Sequence, residues 1–178
     1  MAASSGPRTS APRTWTSRRS RWARASSSAC PSERVSAWRP ETHRVGTGIH
    51  AIHATAVSVA GRGLLILGPS RAGKSSLACQ MIALGAALVS DDRVEIGPGP
   101  RLRRPPEGPA MIELRGLGLV ACATEEAALA AALLLGPSAA RLPERETIAL
   151  AGHDVPLLRH PAMPELAAKL ILWLRAAA

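Results

Sequence analysis

The sequence has no Phe and no Tyr, and four Trp are its only aromatic residues. Proteins that bind single-stranded nucleic acid use aromatic side chains as stacking platforms, so this shortage argues against that function. Cysteines are also few: Cys30, Cys79 and Cys122 are too scattered for a disulfide framework or a zinc site. No charge-free apolar stretch approaches the roughly 20 residues of a transmembrane helix. These absences predict a cytoplasmic protein that has neither a membrane nor a nucleic-acid partner.

The positive charge of the chain is concentrated at its N-terminal end. The formal net charge is +9 and the pI is about 11.3, values often found in nucleic-acid-binding proteins. Residues 1–44, however, hold nine Arg against two acidic residues, whereas residues 45–178 hold eleven Arg and two Lys against eleven acidic residues. Residues 45–178 are thus nearly neutral, and any affinity for nucleic acid would depend on residues 1–44.

Composition divides the chain into a tail, residues 1–44, and a single domain, residues 45–178. The tail is rich in Ser, Arg, Thr and Pro and cannot bury enough apolar surface to offset its chain entropy, so we predict that it is disordered. Two alternatives remain open, an Arg-rich targeting or anion-binding arm and a mis-assigned start codon. The tail has no apolar signal-peptide core, so secretion is not expected.

Short apolar runs, separated by Gly and Pro, predict the secondary structure of the domain. The predicted strands are residues 53–60, 64–67, 86–89 and 111–114, with one or two more within 147–158. The predicted helices are residues 75–84, 125–135 and 164–175, and residues 97–110 are predicted as a loop. Because strands and helices alternate along the chain, we predict an α/β fold.

Residues 68–75 read GPSRAGKS and match the phosphate-binding pattern G-x-x-x-x-G-K-[ST]. Such a loop directs backbone N–H groups into one concavity at the start of a helix. Lys74 would meet the β- and γ-phosphates, and the Ser75 hydroxyl would ligate Mg²⁺. We therefore predict ATP and Mg²⁺ as cofactors. The predicted cofactor-binding residues are Gly68, Pro69, Ser70, Arg71, Ala72, Gly73, Lys74 and Ser75.

A second signal is the pair of carboxylates, Asp91 and Asp92, that follows an apolar strand. Phosphoryl transfer needs a carboxylate that holds Mg²⁺ and, for a hydroxyl acceptor, a base that takes its proton. Adjacent residues of a strand point to opposite faces, so the two side chains should have different neighbours. The alternative interpretation is that one of them only caps a turn or a helix.

Three sequence blocks that follow His53 together resemble the catalytic domain of bacterial HPr kinase/phosphorylase. They are GPSRAGKSS at residues 68–76, LVSDDRVEI at 88–96 and IELRGLGLV at 112–120, of which the last is the most specific. The resemblance covers about residues 48–158. It implies a P-loop kinase core of the HPr kinase and PEP carboxykinase-like type. It also implies transfer of a phosphoryl group from ATP to a serine of HPr, the phosphocarrier protein of the sugar phosphotransferase system.

The resemblance also implies roles for individual residues. The implied catalytic residues are His53, Lys74, Asp92 and Arg141, the implied metal ligands are Ser75 and Glu113, and Arg115 lies in a segment needed for transfer. Asp92 would be the base that deprotonates the acceptor serine. His53 occupies the position of a catalytic His, although Ala54 follows it where the family has Gly. Arg141 corresponds to an Arg that opens a similar block of the family.

The chain also departs from the family pattern at several places. Residues 155–161 lack the family's block that is linked to dephosphorylation, which leaves phosphorylase activity doubtful. Arg71 stands where the family usually has Gly, and an Arg there would either tune nucleotide affinity or block binding. Residues 1–44 are too short and too polar to be the N-terminal domain of full-length members, so the chain resembles a truncated kinase core. Full-length relatives form oligomers, which leaves a homo-oligomer open.

Two other functions remain open beside the protein kinase. The same loop is compatible with a non-catalytic sensor that binds nucleotide or phosphate and reports it to a partner protein. A small-molecule kinase would in addition need a lid and an acceptor pocket, for which residues 97–110 are the only candidate.

Overall fold

The computed structural model describes residues 39–137 and 145–176, which form twelve strands and two helices. The strands are β1 (Thr42–Gly46), β2 (Ile49–His53), β3 (Thr55–Val59), β4 (Arg62–Leu67), β5 (Ala87–Ser90), β6 (Arg93–Gly97), β7 (Arg101–Arg103), β8 (Met111–Leu114), β9 (Gly118–Ala121), β10 (Ala127–Leu135), β11 (Glu146–Leu150) and β12 (His153–His160). The helices are α1 (Lys74–Ala83) and α2 (Leu166–Ala176). The α/β class predicted from the sequence is therefore confirmed.

Ten strands form one mixed sheet in which β10 is central. The main path runs β1-β2-β6-β7-β10-β4-β3-β5, and β12 and β11 extend the sheet from β10. One edge of β10 pairs in parallel with β4. On its other edge, the first two residues pair antiparallel with β7 and the last four pair in parallel with β12. Strands β8 and β9 form a separate antiparallel hairpin.

The sheet separates two apolar cores. On one face, Leu77 and Met81 of α1 and Leu170 and Leu174 of α2 pack against the sheet. On the other face, the sheet folds over itself, because β5 contacts β6 and β7 as well as its partner β3. Ile96 and other residues of β2, β6 and β7 are thereby buried against β4 and β3. The phosphate-loop strand β4 thus lies between two cores.

The helix predicted over residues 125–135 is wrong, because residues 127–135 form strand β10. Ala131 and Leu133 face the helices, whereas Ala132 and Leu134 face the second core. A strand that is buried on both faces reads as a continuous apolar run with no polar alternation. The Ala and Leu residues favour a helix locally, but pairing with three neighbouring strands overrides that preference.

The other predicted elements are found with some shifts. Both remaining helices are present, and the region 147–158 contains two strands, β11 and β12. The single strand predicted over 53–60 is two strands, because His53 ends β2 and Thr55 begins β3.

Two strands of the sheet carry no prediction, a third is predicted only at its last residue, and a fourth lies where a loop was expected. Strands β1 and β6 are the first two, β2 is predicted only at His53, and β7 lies within the predicted loop 97–110. Strand β1 begins at Thr42, so the sheet extends upstream of residue 45, where the domain was predicted to begin. No helix in the described ranges is long and apolar enough to span a membrane.

Candidate active site

The phosphate loop connects β4 to α1 through residues 68–73. Gly68 has a φ of 147°, and a Cβ there would lie 3.1 Å from the Cβ of Ala72. Gly73 precedes the helix with a φ of 96°, in the left-handed region that favours glycine. No side chain in the described part of the chain caps this helix start. The first N–H groups of α1 are therefore directed towards the loop concavity without a competing side-chain acceptor.

The Lys74 side chain is buried inside this loop. Its Nζ donates hydrogen bonds to the carbonyl oxygens of Gly68, at 3.1 Å, and Pro69, at 3.2 Å. Burial lowers the pKa of Lys74 below its ordinary value, and the nearby negative charges of Asp92 and Asp91 partly oppose this change. The ammonium group is thus held at the loop by weak neutral acceptors that an anion could replace.

Asp91 connects the phosphate loop to two strands. Its Oδ1 accepts hydrogen bonds from Thr55 Oγ1, at 2.7 Å, and from Ser75 Oγ, at 3.1 Å. Its Oδ2 accepts a hydrogen bond from the backbone N–H of Glu113, at 3.3 Å. Asp91 is the member of the acidic pair that contacts the predicted Mg²⁺ ligand Ser75, and the sequence alone predicts no specific role for it.

A β-bulge decides which of the two carboxylates meets the loop. The register of β3 with β5 shifts between Ala56 and Val57. Leu88 of β5 pairs with Val57, and one extra residue of β5 follows Leu88 before the pairing with β3 resumes. The Leu88 side chain packs towards the helices, and strict alternation from it would place Asp92 on that face. The bulge places Asp91 there instead. Alternation alone could not have predicted this, because a bulge depends on the partner strand.

Asp92 lies in the turn between β5 and β6, with a φ of 65° and an exposed side chain. Its backbone carbonyl accepts a hydrogen bond from the N–H of Ala54, at 3.3 Å. This bond keeps the end of β2, with His53, next to the turn. The adjacent carboxylates therefore have different surroundings: Asp91 is tied to Ser75, and Asp92 remains open to solvent.

The predicted catalytic and metal-binding residues that the structure describes meet in one cavity of about 270 Å³, whereas Gly68, Pro69 and Ala72 of the phosphate loop do not line it. The lining residues are His53, Ser70, Arg71, Gly73, Lys74, Ser75, Ser76, Asp92, Glu113 and Arg115. The structure thus brings together every implied catalytic and metal-binding residue that it describes. Arg141 lies outside the described residues.

A second cavity, of about 280 Å³, adjoins the first and shares Asp92 and Glu113 with it. The walls of this second cavity come from the loop around Pro105 and from the hairpin, through Met111 and Leu119. The two shared carboxylates therefore stand between a cavity lined by the phosphate loop and a second space large enough for an acceptor side chain.

The oxygen groups near Ser75 suit a magnesium ion that is bound together with a nucleotide. Among the residues that the structure describes, no three His, Cys, Asp or Glu side chains are grouped as a complete metal site. In phosphoryl-transfer sites, Mg²⁺ is bound by one or two carboxylates together with substrate phosphates and water. The Ser75 hydroxyl beside the Asp91 carboxylate, with Glu113 in the same cavity, provides a partial set of this kind.

Comparison with known proteins confirms the resemblance found in the sequence. Residues 47–125, less than half of the chain, match the family model of the HPr Serine kinase C-terminal domain. The HPr kinase/phosphorylase of Bordetella petrii is 45% identical over 73 residues, which are 39% of this chain and 24% of that protein. The enzyme of Lachnoclostridium phytofermentans is 40% identical over 79 residues, again 39% of this chain and 24% of that protein. The matched part therefore spans about a quarter of the length of these relatives.

The fold is also similar to that of a solved structure. The Hpr(Ser) kinase/phosphatase from Coxiella burnetii has a TM-score of 0.61 at 20% sequence identity. The similarity covers 71% of this chain and 89% of that chain. It supports the arrangement of sheet and helices described above.

Proposed function

We propose that this protein is an ATP-dependent serine kinase that phosphorylates an HPr-type phosphocarrier protein and thereby regulates the carbohydrate metabolism of the phosphotransferase system. The observation that carries the proposal is that the two neighbouring carboxylates occupy different positions in the site. Asp91 is bonded to Ser75 of the phosphate loop, whereas Asp92 is open to the cavity that contains Lys74. A kinase needs one carboxylate at the metal and another at the acceptor hydroxyl. The acceptor protein is proposed from the names of the relatives.

The phosphate loop would bind the triphosphate of ATP. Free backbone N–H groups among residues 70–75 would donate to phosphate oxygens, and the Lys74 ammonium would exchange its two carbonyl acceptors for the β- and γ-phosphates. Ser75, Asp91 and Glu113 are the residues proposed to hold Mg²⁺. When bound, Mg²⁺ supplies positive charge that offsets the negative charge of the phosphate oxygens.

The acceptor serine would enter through the second cavity, which meets the first at Asp92 and Glu113. Its hydroxyl oxygen forms a bond to the γ-phosphorus while the bond from that phosphorus to the β–γ bridging oxygen breaks, and ADP leaves. The hydroxyl proton passes to the Asp92 carboxylate. His53 and Arg115 line the first cavity and are proposed to donate hydrogen bonds to the oxygens of the transferred group.

Phosphoryl transfer from γ-labelled ATP to purified HPr tests this proposal through matched variants. We expect Asp92→Asn to reduce the transfer rate by at least about 100-fold, the usual contribution of a general base. ATP binding should be retained, because Asp92 is not bonded to the loop and Asn tolerates its positive φ. Asp91→Asn should instead weaken Mg²⁺-dependent ATP binding. Asp154→Asn, an exposed change in β12, is the control and should alter neither quantity.

Three outcomes would contradict the proposal in different ways. Full transfer by Asp92→Asn would exclude Asp92 as the base. ATP binding without transfer by the unaltered protein would favour a non-catalytic nucleotide sensor. Label that appears on a small metabolite rather than on HPr would favour a small-molecule kinase.

A further inference from the structure

The backbone of Arg71 is in a conformation that disfavours its side chain. Its φ is 67°, in the left-handed region, at the centre of a loop closed by a hydrogen bond from the N–H of Ala72 to the carbonyl of Pro69, at 3.2 Å. Glycine would occupy this region without strain, whereas a residue with a Cβ is less stable there. A strained residue in a ligand-binding loop suggests that its side chain has a use in that loop.

Arg71 lies at the junction of two cavities of opposite character. One is the 270 Å³ cavity with Lys74 and the carboxylates. The other, of about 430 Å³, has mostly apolar walls that include Pro69, Pro137 and Pro161. Arg71 and its neighbour Ser70 are the two residues that line both.

The charge of Arg71 is also not neutralised by a protein carboxylate in the described ranges. Arg103 is paired with Glu95 at 2.9 Å, and Arg159 with Glu146 at 2.8 Å. Arg71 forms no ion pair with any described residue, and its side chain is exposed beside the phosphate loop. A guanidinium group in this setting is available to bind phosphate oxygens.

We infer that Arg71 binds the α-phosphate of the nucleotide, at the point where the polyphosphate joins the ribose. This inference rests on the proposed function, which places the γ-phosphate next to Asp92. The nucleotide then extends from Asp92 past Lys74, and its uncharged base and sugar enter the proline-lined cavity. Arg71, at the junction of the two cavities, meets the phosphate nearest the sugar. ATP and ADP share that phosphate, so Arg71 strengthens the binding of both and takes no part in the transfer step.

Titration calorimetry with ATP, ADP and adenosine, in the presence of Mg²⁺, tests this inference without any acceptor protein. We expect Arg71→Asn to raise the Kd of both ATP and ADP by about tenfold, the effect of losing one charge-assisted hydrogen bond near solvent. Adenosine binding should not change. The difference between variant and unaltered protein should shrink as salt is raised, because the side chain is exposed. Arg101→Asn removes an exposed arginine of β7 and is the matched control.

Arg71→Gly separates the charge from the backbone strain. Glycine relieves the strained φ but removes the charge, so it should weaken nucleotide binding as much as Arg71→Asn does, in a protein at least as stable to heat. Steady-state transfer rates should show a raised KM for ATP with kcat unchanged, as expected for a uniform loss of nucleotide binding.

The outcomes distinguish a failed inference from a failed function. If the unaltered protein binds ATP and ADP and both Arg71 variants bind them equally well, the inference is wrong and the proposed kinase function is untouched. Tighter binding by Arg71→Gly would show that the arginine obstructs the site. An effect on ATP without an effect on ADP would move the contact to the γ-phosphate and overturn the assignment. If the unaltered protein binds neither nucleotide, both proposals fail.

Discussion

The Lys74 ammonium illustrates how one buried charge couples nucleotide binding to pH. Burial removes water from Nζ, and the two carbonyl acceptors of the loop replace that water with neutral partners. The pKa of Lys74 is therefore lowered, although Asp92 and Asp91 oppose the effect. A bound polyphosphate would place negative charge against Nζ and raise this pKa again.

We therefore expect ATP binding to take up protons at alkaline pH. Between the lowered pKa of the free protein and the raised pKa of the complex, Lys74 is neutral before binding and charged after it. ATP affinity should thus fall as the pH rises through this window. Calorimetry in buffers of different ionisation enthalpy measures the uptake.

The only other lysine of the chain provides the control. Lys169 is exposed on α2 and paired with Glu165, so Lys169→Met should keep the proton uptake. Lys74→Met should lose binding. An affinity that stays constant across the alkaline range would contradict the coupling.

The residues of the site differ in how well the sequence alone predicts them. Residues 68–75 form a local motif, because their function depends on backbone conformations that the glycines of the motif allow. The structure has the loop at the positions that the motif predicts. Asp91 depends instead on a bulge between β3 and β5, which are far apart in the sequence. His53 was predicted from the family resemblance, because a histidine at a strand end carries no local signal.

At the scale of the secondary-structure elements, β10 shows where a sequence pattern fails. Its nine residues are all Ala or Leu, which favour a helix, and no polar residue marks a face. The strand conformation of residues 127–135 depends on β4, β7 and β12, which provide the hydrogen-bond partners of β10. By contrast, α1 and α2 present distinct buried and exposed faces, and both were predicted.

We expect β10 to be more sensitive to truncation of its side chains than the exposed face of α2. Leu133 is fully buried between the sheet and the helices, so Leu133→Ala should lower the free energy of unfolding by about 2–5 kcal/mol. Leu172 is 68% exposed, and Leu172→Ala should change it by less than about 0.5 kcal/mol. Urea unfolding of both variants measures the difference. Equal effects would mean that the core does not close around β10 as described.

At the scale of the whole molecule, the charge of the chain and its candidate site are separate. Residues 1–44 hold nine of the arginines, whereas the site residues that the structure describes lie between His53 and Arg115. We expect removal of residues 1–38 to leave ATP affinity and the thermal unfolding midpoint unchanged, and to lower any affinity for DNA.

A second truncation is the control for the first. Removal of residues 1–46 also deletes β1, which pairs with β2, so the protein should unfold at a lower temperature. Calorimetry and nucleotide titration of both truncated proteins provide the comparison. A lower ATP affinity after removal of residues 1–38 alone would give the tail a role in the site.

The central place of β10 has a consequence for the order of events during translation. In the sheet, β10 stands between β7 and β4, and it thereby joins the group β1, β2, β6 and β7 to the group β4, β3 and β5. All the strands of both groups precede β10 in the chain, and so does every residue that lines the 270 Å³ cavity with Lys74. A ribosome therefore makes every residue that lines the 270 Å³ cavity before it makes the strand that unites the two halves of the sheet. Until residues 127–135 emerge, the nascent chain exposes the unpaired edges of β4 and β7, and this interval is when the protein is most exposed to mispairing with other chains.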